Sequence, residues 1–140
     1  MDIIRWEHLT PREKVERWSR AVDVIAGLSE HEIEHHFNMS TWGYNTDCGT
    51  VGCAAGLIAE DPGFQAEGFK RHYFTHLGKS DGYWLRTNPR DFFGTYAFRK
   101  IFNNDQFTCA VNPKGKDMHG RVLLAMKDYL EELKGDAACS

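Results

Sequence analysis

The strongest constraint on the fold is a helical repeat of apolar residues near the C-terminal end of the chain. From residue 118 onward, apolar side chains recur every three or four residues, at Met118, Val122, Ala125, Met126, Tyr129, Leu130 and Leu133. This period places them on one face of an α-helix, which must be buried against other elements. We expect this helix to end at Gly135 and residues 136–140 to form a disordered tail.

Two helix starts are marked near the N-terminal end. The sequence Thr-Pro-Arg-Glu at 10–13 predicts an N-cap, a proline in the first helical position and a capping box. The helix that follows carries an apolar stripe and ends at Gly27. Ser29 and Glu32 form a second capping box, which predicts a short helix over residues 30–36.

The remaining segments predict shorter elements. Residues 37–47 form a loop whose large apolar side chains dock inward, and Thr50 caps a helix that Asp61 and the following Pro-Gly stop. Another helix is predicted over 64–73, and one from Pro89 whose apolar bulk includes Tyr96. Aromatic segments at 72–77 and 83–87 flank a glycine-bounded turn, which is typical of a hairpin. Together these segments predict a mainly α fold, a single compact helical domain over 1–140 with five or six helices. One short β-hairpin is compatible with it.

Composition narrows the function classes. A chain of 140 residues buries roughly two thirds of its unfolded surface, so folding requires no metal or cofactor, and we predict none. A formal charge of -3 disfavours nucleic-acid binding, which depends on clustered Lys and Arg. The N-terminal segment lacks a secretory signal and no apolar run is long enough for a membrane span, which predicts a cytoplasmic protein with free thiols.

The sequence His-Glu-Ile-Glu-His at 31–35 matches HExxH, in which two histidines one helical turn apart hold zinc. The predicted helix is short, lacks the continuation that supplies a third ligand, and already uses Glu32 for capping. A mixed zinc site from His31, His35, Cys48 and Cys53 remains an alternative, because the two cysteines have C-x4-C spacing.

The stretch CGTVGCAAG at 48–56 combines two thiols with three glycines. It predicts a joint where small residues let two backbones approach closely. Alternatively, Cys48 lies just before the N-terminus of the helix expected from Thr50, where unpaired N–H groups favour a thiolate nucleophile. A base would then come from His72, His76 or His119. As isolated groups, His8 and His119 are expected to be surface or capping residues.

The sequence FNMSTW at 37–42, followed by CGTVGCAAG, Pro62 and Gly68, resembles a motif of small uncharacterised proteins from bacteria, plasmids and phages. In that motif a Phe-x-Met-x-x-Trp segment precedes C-G-T-x-x-C-x-x-G. The resemblance covers residues 37–68 and implies an accessory protein of a mobile element, with no mechanism attached.

The sequence thus favours a binding protein over an enzyme, with another protein as partner rather than nucleic acid or a membrane. The many aromatic residues and the lack of a complete catalytic set support this interpretation. The predicted contact residues are Trp42, Tyr44, Thr50, Tyr83 and Trp84. An inhibitor of a host enzyme or defence system is one form of this hypothesis. The alternatives are a hydrolase or transferase that uses Cys48 and a zinc-binding module.

Overall fold

Helices make up most of the described backbone, which confirms the mainly α fold class. The computed structural model describes residues 3–40, 44–46, 49–51, 53–69, 71–75, 81–85 and 88–139, with only the backbone described in the strands. Along these residues run seven α-helices: α1 Pro11–Ala26, α2 Glu30–His35, α3 Ala54–Ile58, α4 Pro62–Ala66, α5 Pro89–Ala97, α6 Asp105–Thr108 and α7 Gly115–Cys139. A 3-10 turn at Trp6–His8 precedes α1, and a π-helical turn at Phe98–Phe102 follows α5.

An antiparallel sheet of four strands accompanies the helices. The strands are β1 Tyr44–Thr46, β2 Gly49–Val51, β3 Arg71–Thr75 and β4 Asp81–Leu85, and their order is β2-β1-β4-β3. The predicted hairpin is present as β3 and β4, whose register pairs Tyr73 with Tyr83. The sheet is larger than expected because the segment predicted as a loop contributes β1, which also pairs Tyr44 with Gly82 of β4.

Both predicted capping boxes are present. The Thr10 side chain accepts from the backbone N–H of Glu13, whose carboxylate accepts from the Thr10 N–H. Ser29 and Glu32 make the same reciprocal pair at the start of α2. Each pair satisfies two backbone donors that a helix start leaves open, which is why these helices begin where the sequence predicts.

The core lies where α1 and α7 pack together, and Trp18 is at its centre. The Trp18 ring is fully buried and meets Phe93 and Tyr129 edge-on, at centroid distances of 5.5 and 5.1 Å. Its indole N–H donates to the backbone oxygen of Met126 at 2.8 Å, so burial leaves no polar atom of the ring unpaired. A cluster of phenylalanines extends this core: Phe64, Phe69, Phe92, Phe93 and Phe102.

Arg17 ties the N-terminal segment to α5. Its guanidinium, 5% exposed, donates to the backbone oxygens of Ile4 and Phe92, each at 2.9 Å, and lies 3.8 Å from the centroid of the Phe92 ring. Burial is the main cause that lowers the pKa of this guanidinium below its ordinary value. The two carbonyls and the ring replace the hydration that a buried cation loses.

Three predicted helix boundaries are wrong. Thr50 is not an N-cap, because its backbone pairs with Asn45 in the sheet, and Cys53 caps α3 instead. The helix predicted over 64–73 ends at Ala66, since Gly68 takes a φ of +96° and the chain then enters β3. Helix α7 does not end at Gly135 but reaches Cys139. One glycine costs a helix only about 1 kcal/mol, and the good helix formers Lys134, Ala137 and Ala138 lie close to it in sequence.

His119 is also not a surface group. It is 8% exposed, its Nε2 lies 2.8 Å from the backbone oxygen of Ile25, and its ring meets Phe37 edge-on at 5.5 Å. Because a carbonyl oxygen only accepts, Nε2 carries the proton and donates. His119 therefore joins α7 to the end of α1. His8, as expected, is exposed.

Candidate functional site

The HExxH residues lie on α2, but their contacts fit capping rather than zinc binding. The His31 and His35 rings are 4.5 Å apart between centroids, as two positions one turn apart require. The Glu32 carboxylate accepts the Ser29 N–H at 3.0 Å, and this hydrogen bond is the main cause that lowers the pKa of Glu32. Among the described residues, no group of three or more His, Cys, Asp or Glu is placed to hold a metal ion.

The CGTVGCAAG stretch is divided between a strand and a helix. Cys53 is 2% exposed, and its Sγ accepts the Gly56 N–H at 3.4 Å, so this thiol is buried in a capping role. The residues after it, from Ala54 to Ala59, are buried, and α3 packs against α1. The close approach of two backbones at this stretch stays a prediction. Cys48 lies outside the described residues. The helix expected from Thr50 starts instead at Ala54, and a catalytic role for Cys48 stays a prediction.

The other predicted site residues lie on the sheet or outside the described residues. His72 is on β3, in register with Trp84 on β4, and Thr50 is on β2 opposite Asn45. Tyr44 and Tyr83 belong to β1 and β4. His76 and Trp42 lie outside the described residues. The sheet thus brings four of the five predicted contact residues into one backbone unit, and their role in binding stays a prediction.

A groove between the N-terminal segment, α5 and α7 is the clearest candidate site in the described part of the chain. We call it the tyrosine groove. Its cavity has a volume of about 410 Å³ and is lined by Trp6, Pro11, Lys14, Tyr96, Tyr129, Glu132, Leu133 and Asp136. The four α7 residues follow one another at intervals of three, one and three positions, which places them on a single helix face.

Two stacked tyrosines form the groove's aromatic surface. The Tyr96 and Tyr129 rings lie 4.5 Å apart between centroids at an interplanar angle of 29°. Tyr96 is 46% exposed whereas Tyr129 is 8% exposed. Tyr129 therefore packs against Trp18 in the core and also against Tyr96, which is exposed to solvent.

The Tyr129 hydroxyl has no hydrogen-bond partner among the described residues. No fully buried side-chain oxygen or nitrogen of those residues lacks a partner, so this hydroxyl is in contact with solvent, and Tyr129 lines the groove. Burial is the largest cause that raises the pKa of Tyr129 to about 12, and the neighbouring Tyr96, Glu132 and Asp136 raise it further. The hydroxyl remains protonated at neutral pH, so it can both donate and accept.

The groove lining contains three charged residues, two acidic and one basic. Glu132 and Asp136 are exposed and, within the described part of the chain, have no ion-pair partner within 4.0 Å. The cation in the lining is Lys14, whose Nζ lies 5.7 Å from the centroid of the Trp6 ring. The groove lining thus combines two tyrosines with one ammonium and with two carboxylates that have no ion-pair partner among the described residues.

Gly94 allows the Trp6 ring, which lines the groove, to pack directly on the backbone of α5. Gly94 has a φ of +90° and a ψ of 164°, which kinks α5, and the Trp6 ring packs directly on it. A Cβ at Gly94 would lie 2.5 Å from Cδ1 of Trp6. Only glycine combines this backbone conformation with such a close approach.

A larger cavity, about 520 Å³, lies between α1, α2 and the α3–α4 connection. Four carboxylates line it: Asp23, Glu32, Glu60 and Asp61. Glu32 accepts the Ser29 N–H, and Asp61 accepts the Phe64 N–H at 3.2 Å. These capping roles explain the presence of Glu32 and Asp61 here without a ligand.

Sequence reasoning missed the tyrosine groove. Tyr129 fits the apolar stripe of the last helix and Tyr96 an aromatic-rich helix, so both are predicted as core residues. The sequence does contain a signal for it. Glu132 and Asp136 follow Tyr129 at helical spacing, which places two carboxylates on the same helix face as the tyrosine.

Comparisons with protein-family models, curated proteins and solved structures find no match to this chain. The resemblance of residues 37–68 to the mobile-element motif therefore stays a prediction. Among the helices that the structure describes, none has the length and apolar character needed to cross a membrane.

Proposed function

We propose that this protein acts by binding another protein through the tyrosine groove. The observation that carries the proposal is the exposed Tyr96 ring, which is stacked on Tyr129 and lines a cavity with a volume of about 410 Å³. Tyrosine is enriched at the energetic centres of protein interfaces because it offers a large apolar area and a polar end at low entropic cost.

The groove has the build of a preformed contact site. Tyr129 is held by the Trp18 ring and in turn holds Tyr96, so a partner would not have to order either ring. Preorganised side chains reduce the entropy that binding costs. The charged residues Lys14, Glu132 and Asp136 surround these rings, as a polar rim surrounds an interface core.

The proposal extends to the biological setting that the sequence suggests. The resemblance at residues 37–68 supports an accessory cytoplasmic protein of a phage or plasmid. A protein of the host, such as an enzyme or a component of its defence, would then be the partner. The sheet residues Tyr44, Thr50, Tyr83 and Trp84 form a second part of the proposed contact surface, outside the groove.

The test is an affinity measurement with an identified partner. The purified protein is used to capture partners from its native host, and one captured protein is purified and titrated by calorimetry. Tyr96→Ala should weaken binding at least tenfold, as expected for an interface centre. Leu124→Ala is the matched control, because Leu124 is also an exposed apolar residue, at 61%, but lies outside the groove lining. Failure to capture a specific partner, or equal affinities for the wild type and Tyr96→Ala, would refute the proposal.

A further inference from the structure

We propose that the tyrosine groove recognises an arginine side chain on the partner, an inference that rests on the proposed function. The exposed ring of Tyr96, stacked on Tyr129, supplies a flat aromatic face, and Glu132 and Asp136 supply two carboxylates in the same lining. A guanidinium is planar and cationic and has five N–H donors, so it can stack on the ring while it donates to carboxylates.

The unpartnered Tyr129 hydroxyl gives independent support. It belongs to a side chain that is 8% exposed, and it has no hydrogen-bond partner among the described residues. Because Tyr129 lines the groove and its hydroxyl is not fully buried, its oxygen can accept one N–H of the guanidinium. An apolar occupant would instead cover this hydroxyl and leave it without a partner, which is unfavourable.

The charges around the groove favour a cation over an anion. Glu132 and Asp136 lie one turn apart on the same face of α7 and have no cationic partner in the described part of the chain. An anionic occupant would bring a third negative charge to this place. Lys14 opposes a cation, but its ammonium lies toward the Trp6 ring, and its removal should therefore strengthen binding.

The rings of the chain's five tyrosines provide the readout. The full-length protein, with carbon-13 in its tyrosine rings, is titrated by NMR with N-acetyl-arginine methylamide. The Tyr96 and Tyr129 signals are assigned by their loss in Tyr96→Phe and Tyr129→Phe. We expect the arginine compound to shift both signals, and N-acetyl-norleucine methylamide, an uncharged compound with a flexible alkyl chain, to bind at least fivefold more weakly.

Charge variants decide whether the carboxylates are responsible. The double variant Glu132→Gln, Asp136→Asn should bind the arginine compound about fivefold more weakly, while Lys14→Gln should bind it about twofold more tightly. Glu131→Gln is the matched control, because Glu131 is an exposed carboxylate of α7 that pairs with Lys134 and does not line the groove. It should leave the affinity unchanged.

Several outcomes would overturn the inference. They are equal binding of the arginine and norleucine compounds, tighter binding of N-acetyl-glutamate methylamide, or weaker binding of the arginine compound by Lys14→Gln. If Tyr96→Ala weakens binding to a captured partner while the arginine compound shifts no ring, the groove binds proteins but the arginine assignment is wrong. If Tyr96→Ala has no effect on the partner, the proposed function itself fails.

Discussion

The close contact between Gly94 and Trp6 leads to a quantitative prediction for Gly94→Ala. At a φ of +90° and a ψ of 164°, a non-glycine residue costs about 1–3 kcal/mol in backbone strain. The new Cβ would also lie 2.5 Å from the Trp6 ring, and such overpacking costs about 1–3 kcal/mol more. We expect the free energy of unfolding to fall by about 2–6 kcal/mol, a large part of the total for a domain of this size.

Other glycines allow the two contributions to be separated by urea unfolding. Gly115 also has a φ of +90°, but no atom lies within 4 Å of the place that a Cβ would take, so Gly115→Ala should show a positive-φ backbone cost without a clash. Gly120 is an exposed glycine in α7 with similar open space, and Gly120→Ala should stabilise the protein by about 1 kcal/mol.

A double-mutant cycle tests the clash directly. Trp6→Ala alone should cost about 3–5 kcal/mol because Trp6 is 7% exposed. In the Trp6→Ala background, Gly94→Ala should cost only its backbone strain. The reasoning is refuted if Gly94→Ala is as stable as the wild type, or if its cost is the same with and without the Trp6 ring.

Three further predictions concern buried groups. Arg17→Met should lower the free energy of unfolding by about 2–4 kcal/mol in urea, because it leaves the Ile4 and Phe92 oxygens without their donor; unchanged stability would contradict this role. In the native protein, iodoacetamide should modify the exposed Cys109 and Cys139 but reach the buried Cys53 only after unfolding. Peptide mass mapping measures the three rates, and an equally fast reaction of native Cys53 would show that this thiol is accessible. Because Tyr129 has a pKa of about 12 when folded and an ordinary value near 10 when unfolded, only the unfolded state releases this proton between those values. Wild-type stability relative to Tyr129→Phe should therefore fall from about pH 10 to pH 12 in urea titrations, and a flat difference would count against the shift.

Local sequence signals predicted the starts of α1 and α2 well. The Thr10 and Ser29 capping boxes use interactions between residues three positions apart, so the sequence contains all the information that sets these boundaries. The stripe on α7 is equally local and correctly indicates a buried face. The ends of α4 and α7 were harder, because one glycine, Gly68, leaves the helical conformation while another, Gly135, remains in it.

Features that depend on distant contacts could not be predicted. Thr50 is in a strand because it pairs with Asn45, and this pairing outweighs its suitability as an N-cap. His119 can be buried because its ring N–H donates a hydrogen bond to the Ile25 oxygen, 94 positions away in sequence. The tyrosine groove likewise depends on how α5 meets α7, and helical periodicity alone does not distinguish a core tyrosine from one in a groove wall.

Helix α7 has a consequence for the dynamics of the groove. It runs from Gly115 to Cys139, but its buried residues end at Leu133, so its last turns have few tertiary contacts. Such helix ends fray readily, and their amide hydrogens exchange with solvent at rates close to those of an unfolded chain. Asp136 lies in these last turns, whereas Tyr129 lies where the helix packs against the core. An occupant held by both residues would slow amide exchange in the terminal turns, and part of its binding free energy would be used to order them.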